Sequence, residues 1–195
     1  MTETAPAADE PAHWMTTEEF LALPKNDGVE RWLLKGRLIE RPMTRRSFSH
    51  SKTEARIAHL LSRWLDKQPQ PRGMVLSGEA GFRLSRSPDS SVGIDVAYIS
   101  AEQVATTSKR AFLIDGPPVL AVEILSPSDR NDDVTDKVWE YIDAGVKLVW
   151  RVEPVLGLVT VFRPEAEPEG FNIHGYLDGG PHLPGFRVAV AEIFG

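Results

Sequence analysis

Pro118-Val119-Leu120-Ala121-Val122-Glu123-Ile124-Leu125 is the stretch whose reading decides the fold. Its apolar residues run on without alternating with polar ones, the pattern of a strand covered on both faces. Ser126-Pro127-Ser128 breaks it. A strand covered on both faces needs neighbours in the sheet and helices above and below it. Glu123 is the anomaly, because desolvating a carboxylate is costly unless something compensates its charge.

Working downstream, Asn131 or Asp132 can cap a helix running to about Ala144, with Gly145 as its terminator. Val134, Val138, Tyr141 and Ile142 form its apolar face. Residues 146–152 read as a strand, 154–157 as a turn and 158–162 as the hairpin partner. Residues 171–177 predict an edge strand and 188–194 a short closing helix.

Upstream, residues 93–99 read as a strand carrying Asp95 between Ile94 and Val96. Residues 74–78 and 81–84 are strand-like, 85–91 is a loop, and 100–117 holds a polar turn or short helix. At about 100° per residue, residues 49–67 place His50, Glu54, Ile57 and Leu61 on one helical face, and Gln68-Pro69-Gln70-Pro71 stops that helix. Residues 32–40 read as a hairpin turning at Gly36. Thr16 or Thr17 can cap a short helix before Pro24. The order of elements predicts an α/β (α+β) domain: a central mixed sheet flanked by helices, with an N-terminal hairpin.

The 195 residues suffice for one such domain, expected over 13–195 after a disordered leader at 1–12 rich in Ala, Thr, Glu and Pro. Cysteine is absent, which excludes a disulfide framework, a thiolate metal site and a thiol nucleophile. No apolar run spans a bilayer and no signal-peptide pattern opens the chain, so the expectation is a cytoplasmic protein without membrane association. The formal net charge of -6 disfavours general binding to polyanions, so nucleic acid would need a local patch. Arg37, Arg41, Arg45, Arg46, Lys52 and Arg56 supply one candidate; a solvated surface is the plainer account.

Asp95 and Glu123 on neighbouring strands would repel unless a cation lay between them. Hard oxygen ligands suit Mg²⁺ or Mn²⁺, which could activate water near a phosphate. The alternative is that each carboxylate pairs with an Arg or Lys. The acidic run Asp129, Asp132, Asp133 and Asp136 lacks calcium-loop spacing and reads as helix capping with favourable dipole placement. A phosphate-binding glycine loop and a serine nucleophile elbow are both missing from the sequence.

Gly116 to Ser128, followed by Asp136-Lys137-Val138-Trp139-Glu140-Tyr141-Ile142-Asp143-Ala144-Gly145-Val146, is very similar to the signature of the Uma-two family, restriction-endonuclease-type proteins of the PD-(D/E)XK nuclease superfamily. Glu153-Pro154, Leu183-Pro184-Gly185-Phe186 and Glu192-Ile193-Phe194 extend the resemblance over nearly the whole chain after the leader. It implies a restriction-endonuclease-like core and a Mg²⁺- or Mn²⁺-dependent endonuclease acting on DNA. Asp95 matches the family's first acid and Glu123 its second, with the Ile124 main-chain carbonyl as a further metal ligand. The superfamily's lysine position is Leu125 here, and Lys137 on the next helix occupies the place of its substitute. By helical angle Lys137 borders the inward face; a lysine snorkelling along the core is the plainer reading. Ile94 replaces the usual proline, and Trp32, Lys35 and Arg37 replace acids of the family hairpin.

His50, Glu79 and Ser126 are accessory candidates near the metal or phosphate, against plainer roles as a structural histidine, a surface acid and a strand terminator. Arg45, Arg46 and Lys52 are candidates for holding the nucleic-acid strand. A homodimer would suit cleavage of both strands of a duplex. The competing readings are a nuclease-fold module that binds nucleic acid or protein without catalysis, and a structural assembly domain.

Overall fold

The computed structural model describes residues 13–25, 27–127 and 129–195. The leader expected at residues 1–12 lies outside them. Thr16 caps α1 (Thr17–Leu21) in a reciprocal box: its hydroxyl accepts from the Glu19 amide, and the Glu19 carboxylate accepts from the Thr16 amide. β1 (Val29–Leu34) and β2 (Arg37–Pro42) form an antiparallel hairpin closed by the Leu34↔Arg37 pair. Lys35 and Gly36 both take positive φ, 48° and 74°, as a two-residue turn matched to strand twist requires.

Ser47 caps α2 (Phe48–Leu65), which buries Ile57, Leu60, Leu61 and Trp64 at helical spacing. β3 (Met74–Ser85) and β4 (Ser90–Ile99) follow as a long antiparallel pair. The two strand-like pieces read at 74–78 and 81–84 are one strand. Gly78 and Glu79, at φ 84° and 59°, bulge out between Ser77↔Val96 and Ala80↔Ile94 while pairing continues on either side. The loop expected at 85–91 is shorter, because Ser90 and Ser91 already belong to β4. Residues 100–117 contain α3 (Ala101–Thr106) and β5 (Ile114–Asp115), the latter parallel to β3.

β6 (Leu120–Ile124) is buried at every position. α4 (Asn131–Asp143) follows, but neither Asn131 nor Asp132 caps it: Arg130 takes the cap position and no side chain bonds there. β7 (Leu148–Glu153) lies parallel to β6, and β8 (Leu158–Phe162) turns back on β7. The edge strand expected at 171–177 is two strands. β9 (Glu169–Asn172) pairs with β8, whereas β10 (Tyr176–Gly179) pairs with β11 (Leu183–Ala189) in a separate small sheet. The break is a turn in which the Gly175 amide donates to the Asn172 carbonyl. The final helix α5 (Val190–Phe194) begins two residues later than expected, because residues 188 and 189 extend β11.

The main sheet runs β2-β1-β4-β6-β7-β8-β9, with β3 on the other side of β4 and carrying β5. This is the mixed sheet flanked by helices that the sequence predicts. Two apolar clusters cover its faces. Val122 and Ile124 join α2, β11 and α5 in one; Ala121 joins Val138 and Tyr141 of α4 and Trp32 of the hairpin in the other. Because side chains alternate along a strand, Glu123 points with Ala121 toward α4.

One topological feature positions the site. β3 flanks β4 along its length, but the opposite side of β4 is shared. β1 meets it at Leu33↔Ser91, and β6 joins only from Val96↔Val122 onward. Between these points β1 and β6 part, and Asp95 sits at the fork.

Candidate functional site

The fork opens into a cleft of about 360 Å³ lined by strand, hairpin and helix residues together. Glu30 and Trp32 come from β1, Asp95 from β4, Glu123 and Ile124 from β6 with Leu125 just beyond it, Glu79 from the β3 bulge, and Lys137 from α4.

Strand geometry explains how Asp95 is held. The Leu125 amide donates to Val152 on the β7 side, so the preceding Ile124 amide faces β4. There the ladder has ended, and the Asp95 carboxylate takes its place: Ile124 N donates to Asp95 Oδ2 at 2.7 Å. The register Val96↔Val122 carried one step further sets Glu123 opposite Asp95. Both carboxylates are buried, at 5 % and 7 % exposure.

Glu123 is bracketed by α4. Tyr141 Oη donates to its Oε1 at 2.5 Å, and Lys137 Nζ lies 3.4 Å from its Oε2. Lys137 also stands 5.0 Å from the centre of the Trp32 ring, a cation–π distance. Trp32 thus presents its ring to the lysine. Burial raises the Glu123 carboxyl to about 7; Asp95's negative charge adds to the rise, and Lys137 and Tyr141 offset part of it.

His50, at the start of α2, is 1 % exposed and bridges two site residues. Its Nδ1 meets Ser126 Oγ at 3.1 Å, and its Nε2 lies 3.4 Å from Asp95 Oδ1. Glu54, one turn on, is 3.8 Å from Nε2. Burial opposes a proton on His50, but Asp95 outweighs it and its pKa is raised. Burial likewise opposes charge on Asp95, yet His50 and the Ile124 amide hold its carboxyl below the ordinary value. The Ser126 amide is capped by Asp129 Oδ2 at 2.7 Å, so at least that member of the acidic run orders the loop after β6.

Glu79 reaches the cleft through the bulge. A Cβ at Gly93 would lie 2.6 Å from its Oε2, so glycine there leaves room for the carboxylate. Arg46 is ion-paired with Glu79 and lies 3.5 Å from Glu30 Oε1. Of the other strand-holding candidates, Arg45 is exposed beside Arg46, whereas Lys52 donates to the Phe194 carbonyl at 2.8 Å, on the outer side of α2.

The structure therefore brings Asp95, Glu123, Lys137, His50, Ser126, Glu79 and Arg46 to one place and leaves Lys52 apart. Glu30 and Trp32 are cleft residues, and Tyr141 a buried partner of Glu123, that reading the sequence did not single out as such. Strand alternation puts Glu30 on the face of Trp32, and that is the signal that could have found it.

Among the described residues, no three acids or histidines converge as a ready-made metal site. What fits a hard cation is the donor chemistry: two facing carboxylates whose mutual repulsion one lysine only partly relieves. Mg²⁺ commonly takes one or two carboxylates and keeps several waters, so a two-acid site is sufficient.

Three comparisons bear on this geometry. A family model, Uma2, described as "Putative restriction endonuclease", matches residues 17–191. A crystal structure of a putative nuclease belonging to DUF820 from Anabaena variabilis superposes with a TM-score of 0.78 at 21% identity, covering 92% of this chain and 97% of that one. At that identity the likeness establishes the fold. No curated protein matches the chain.

Proposed function

The chain belongs to the Uma2 family, and from that premise we propose that residues 13–195 form one restriction-endonuclease-like domain whose cleft hydrolyses phosphodiester bonds in DNA. The observation that carries this reading is the facing pair Asp95 and Glu123 with Lys137 Nζ 3.4 Å from Glu123. Asp95, Glu123 and the Ile124 carbonyl would hold Mg²⁺ or Mn²⁺. The bound ion would lower the pKa of a water and offset phosphate charge.

The chain's own groups account for the rest. The Ile124 amide fixes Asp95, and Tyr141 fixes Glu123, so neither carboxylate needs to be ordered at the moment of reaction. Lys137 sets its Nζ beside the carboxylates, where it can stabilise charge developing on a phosphate oxygen or orient the attacking water. Ser126 orients His50, and His50 in turn approaches Asp95. Arg46 stands at the cleft wall, placed to exchange its carboxylate partners for a phosphate.

A competing reading is a binding module without catalysis. It is favoured by the partners already held by both carboxylates and by Leu125 in place of the superfamily lysine. One experiment separates the two. DNA and RNA substrates are incubated with Mg²⁺ or Mn²⁺ and wild type, Asp95→Ala, Glu123→Ala or Lys137→Ala. Cleavage by wild type that falls at least about 100-fold in each variant is expected for a lost electrostatic stabiliser. Cleavage persisting in all three would remove the assignment, and binding without cleavage by wild type would favour the module. A melting curve supplies a second readout: Mn²⁺ should raise the Tm of wild type and leave Asp95→Ala unmoved.

A further inference from the structure

Phe48 is the most exposed large apolar side chain among the described residues, at 85 %. It opens α2, where the core-facing positions begin only at His50 and Thr53, so it contributes nothing to folding that would explain it. None of the ring or cation–π contacts among the described residues involves it. By contrast Phe112, almost as exposed, lies under Lys25 at 5.1 Å.

Its neighbours in the chain tie it to the cleft. Two residues before it, Arg46 lines the cleft wall. Two residues after it, His50 approaches Asp95. A step of two residues along a helix is about 200°, so Phe48 faces outward where His50 faces in. Exposed Met43 and Arg45 lie just upstream, on the segment whose Pro42, Thr44 and Arg46 line the cleft. The first turn of α2 contains no acid, in a chain whose net charge is -6. An approaching phosphate chain therefore meets arginine and an aromatic face here, with no carboxylate in that turn.

An exposed ring two residues along the chain from an arginine of the cleft wall has the chemistry of base stacking, which needs an unpaired base because a duplex hides its π-faces. We propose that Phe48 is a base-stacking residue, and that the strand entering this cleft is unpaired at that point: a single strand, an overhang or a frayed end. The proposal rests on the nuclease reading for what the cleft does next, but its own claim concerns binding alone.

The test is fluorescence anisotropy in EDTA, with labelled oligonucleotides of equal length: blunt duplex, duplex with a single-stranded overhang, and single strand, in DNA and RNA. Wild type should bind the overhang and the single strand about ten-fold more tightly than blunt duplex, the scale of one stacked base. Phe48→Ala should lose that preference while binding blunt duplex as before, Phe48→Trp should keep it, and Arg45→Ala should weaken every DNA alike. An RNA overhang bound with the same dependence on Phe48 counts in favour, since a π-face is common to both polymers. Three results would each overturn the proposal: no preference or no binding by wild type; overhang binding by Phe48→Ala equal to wild type; or equal losses on blunt and overhanging duplex. Unchanged melting of Phe48→Ala excludes a folding defect. If stacking is found but Mg²⁺ and Mn²⁺ give no cleavage, the nuclease reading fails and this one stands. Cleavage indifferent to Phe48 and to strand ends gives the converse.

Discussion

Glu123 shows most directly what the site demands of a single residue. Its carboxyl is raised by burial first and by Asp95 second, to about 7, so near neutral pH the metal-free protein is poised between two charge states. The sign of the stability effect follows. Below the ordinary carboxylate range both folded and unfolded chains hold the proton, and there is no penalty. As pH climbs toward 7 the unfolded chain releases it first, so folding stability declines, and above 7 the full cost is present. A shift of this size corresponds to a cost on the order of 3 kcal/mol. In EDTA, Glu123→Gln should therefore gain Tm relative to wild type by several degrees between pH 5 and pH 8, measured by melting at both values. Parallel pH profiles for the two proteins would show that Glu123 is compensated at every pH. The sequence already marked this residue, because a carboxylate within Val122-Glu123-Ile124 calls for an explanation in any fold. It did not mark Tyr141 as its hydrogen-bond donor: a tyrosine on an apolar helix face reads as core, and only packing shows where its hydroxyl goes.

At the scale of elements, α2 and α4 approach the sheet from opposite faces and deliver their site residues to the same fork. α2 does so by burying Ile57, Leu60, Leu61 and Trp64 deep in one cluster, which fixes the position of His50 at its other end. Leu61 is fully buried, so Leu61→Ala should cost about 3 kcal/mol by the transfer and cavity terms for a buried leucine. Denaturant titration measures this; a loss below about 1 kcal/mol would show that α2 is not anchored as described. The helices, the hairpin and the central strands were readable because their periodicities are local. The missed features have non-local causes. The break between β9 and β10 depends on which sheet each half can reach. The bulge at Gly78-Glu79 is where the pairing of β3 with β4 shifts by one residue, which depends on both strands together. The cap of α4 falls on neither Asn131 nor Asp132 because the helix already begins at Asn131, behind Arg130; of the acidic run read as capping, Asp129 is held on the Ser126 amide and Asp133 on Arg41 at 2.6 Å.

For the whole molecule, the question is how a chain of net charge -6 engages a polyanion. The basic run at 37–56 looked like a six-residue patch, but folding has spent much of it. Arg41 is held by Asp133, Arg56 by the Glu192 carbonyl, Lys52 by the Phe194 carbonyl, and Arg46 by Glu30 and Glu79. Six phosphate contacts would give a log–log salt slope near -5 on duplex DNA; with Arg45 available and Arg46 exchanging Glu30 and Glu79 for a phosphate, a slope of about -2 is expected. Anisotropy across a salt series should find that shallow slope, reduced by about one for each of Arg45→Ala and Arg46→Ala. A slope near -5 would mean that the internal pairs open on binding. Among the described residues no helix is long and apolar enough to cross a membrane.

The sequence by itself determined the strands and helices of the core, the mixed sheet, and the two acids in conflict with their surroundings, because periodicity and the cost of desolvation act over a few residues at a time. Tertiary structure alone decided that β1 and β6 part from β4 at Asp95. It also turned Trp32 into a cation–π partner of Lys137, brought Glu30 and Glu79 to the cleft, and left Phe48 bare at the start of α2. Those outcomes depend on the registers of strands far apart in the chain and on which charges meet across them, and no local pattern records either.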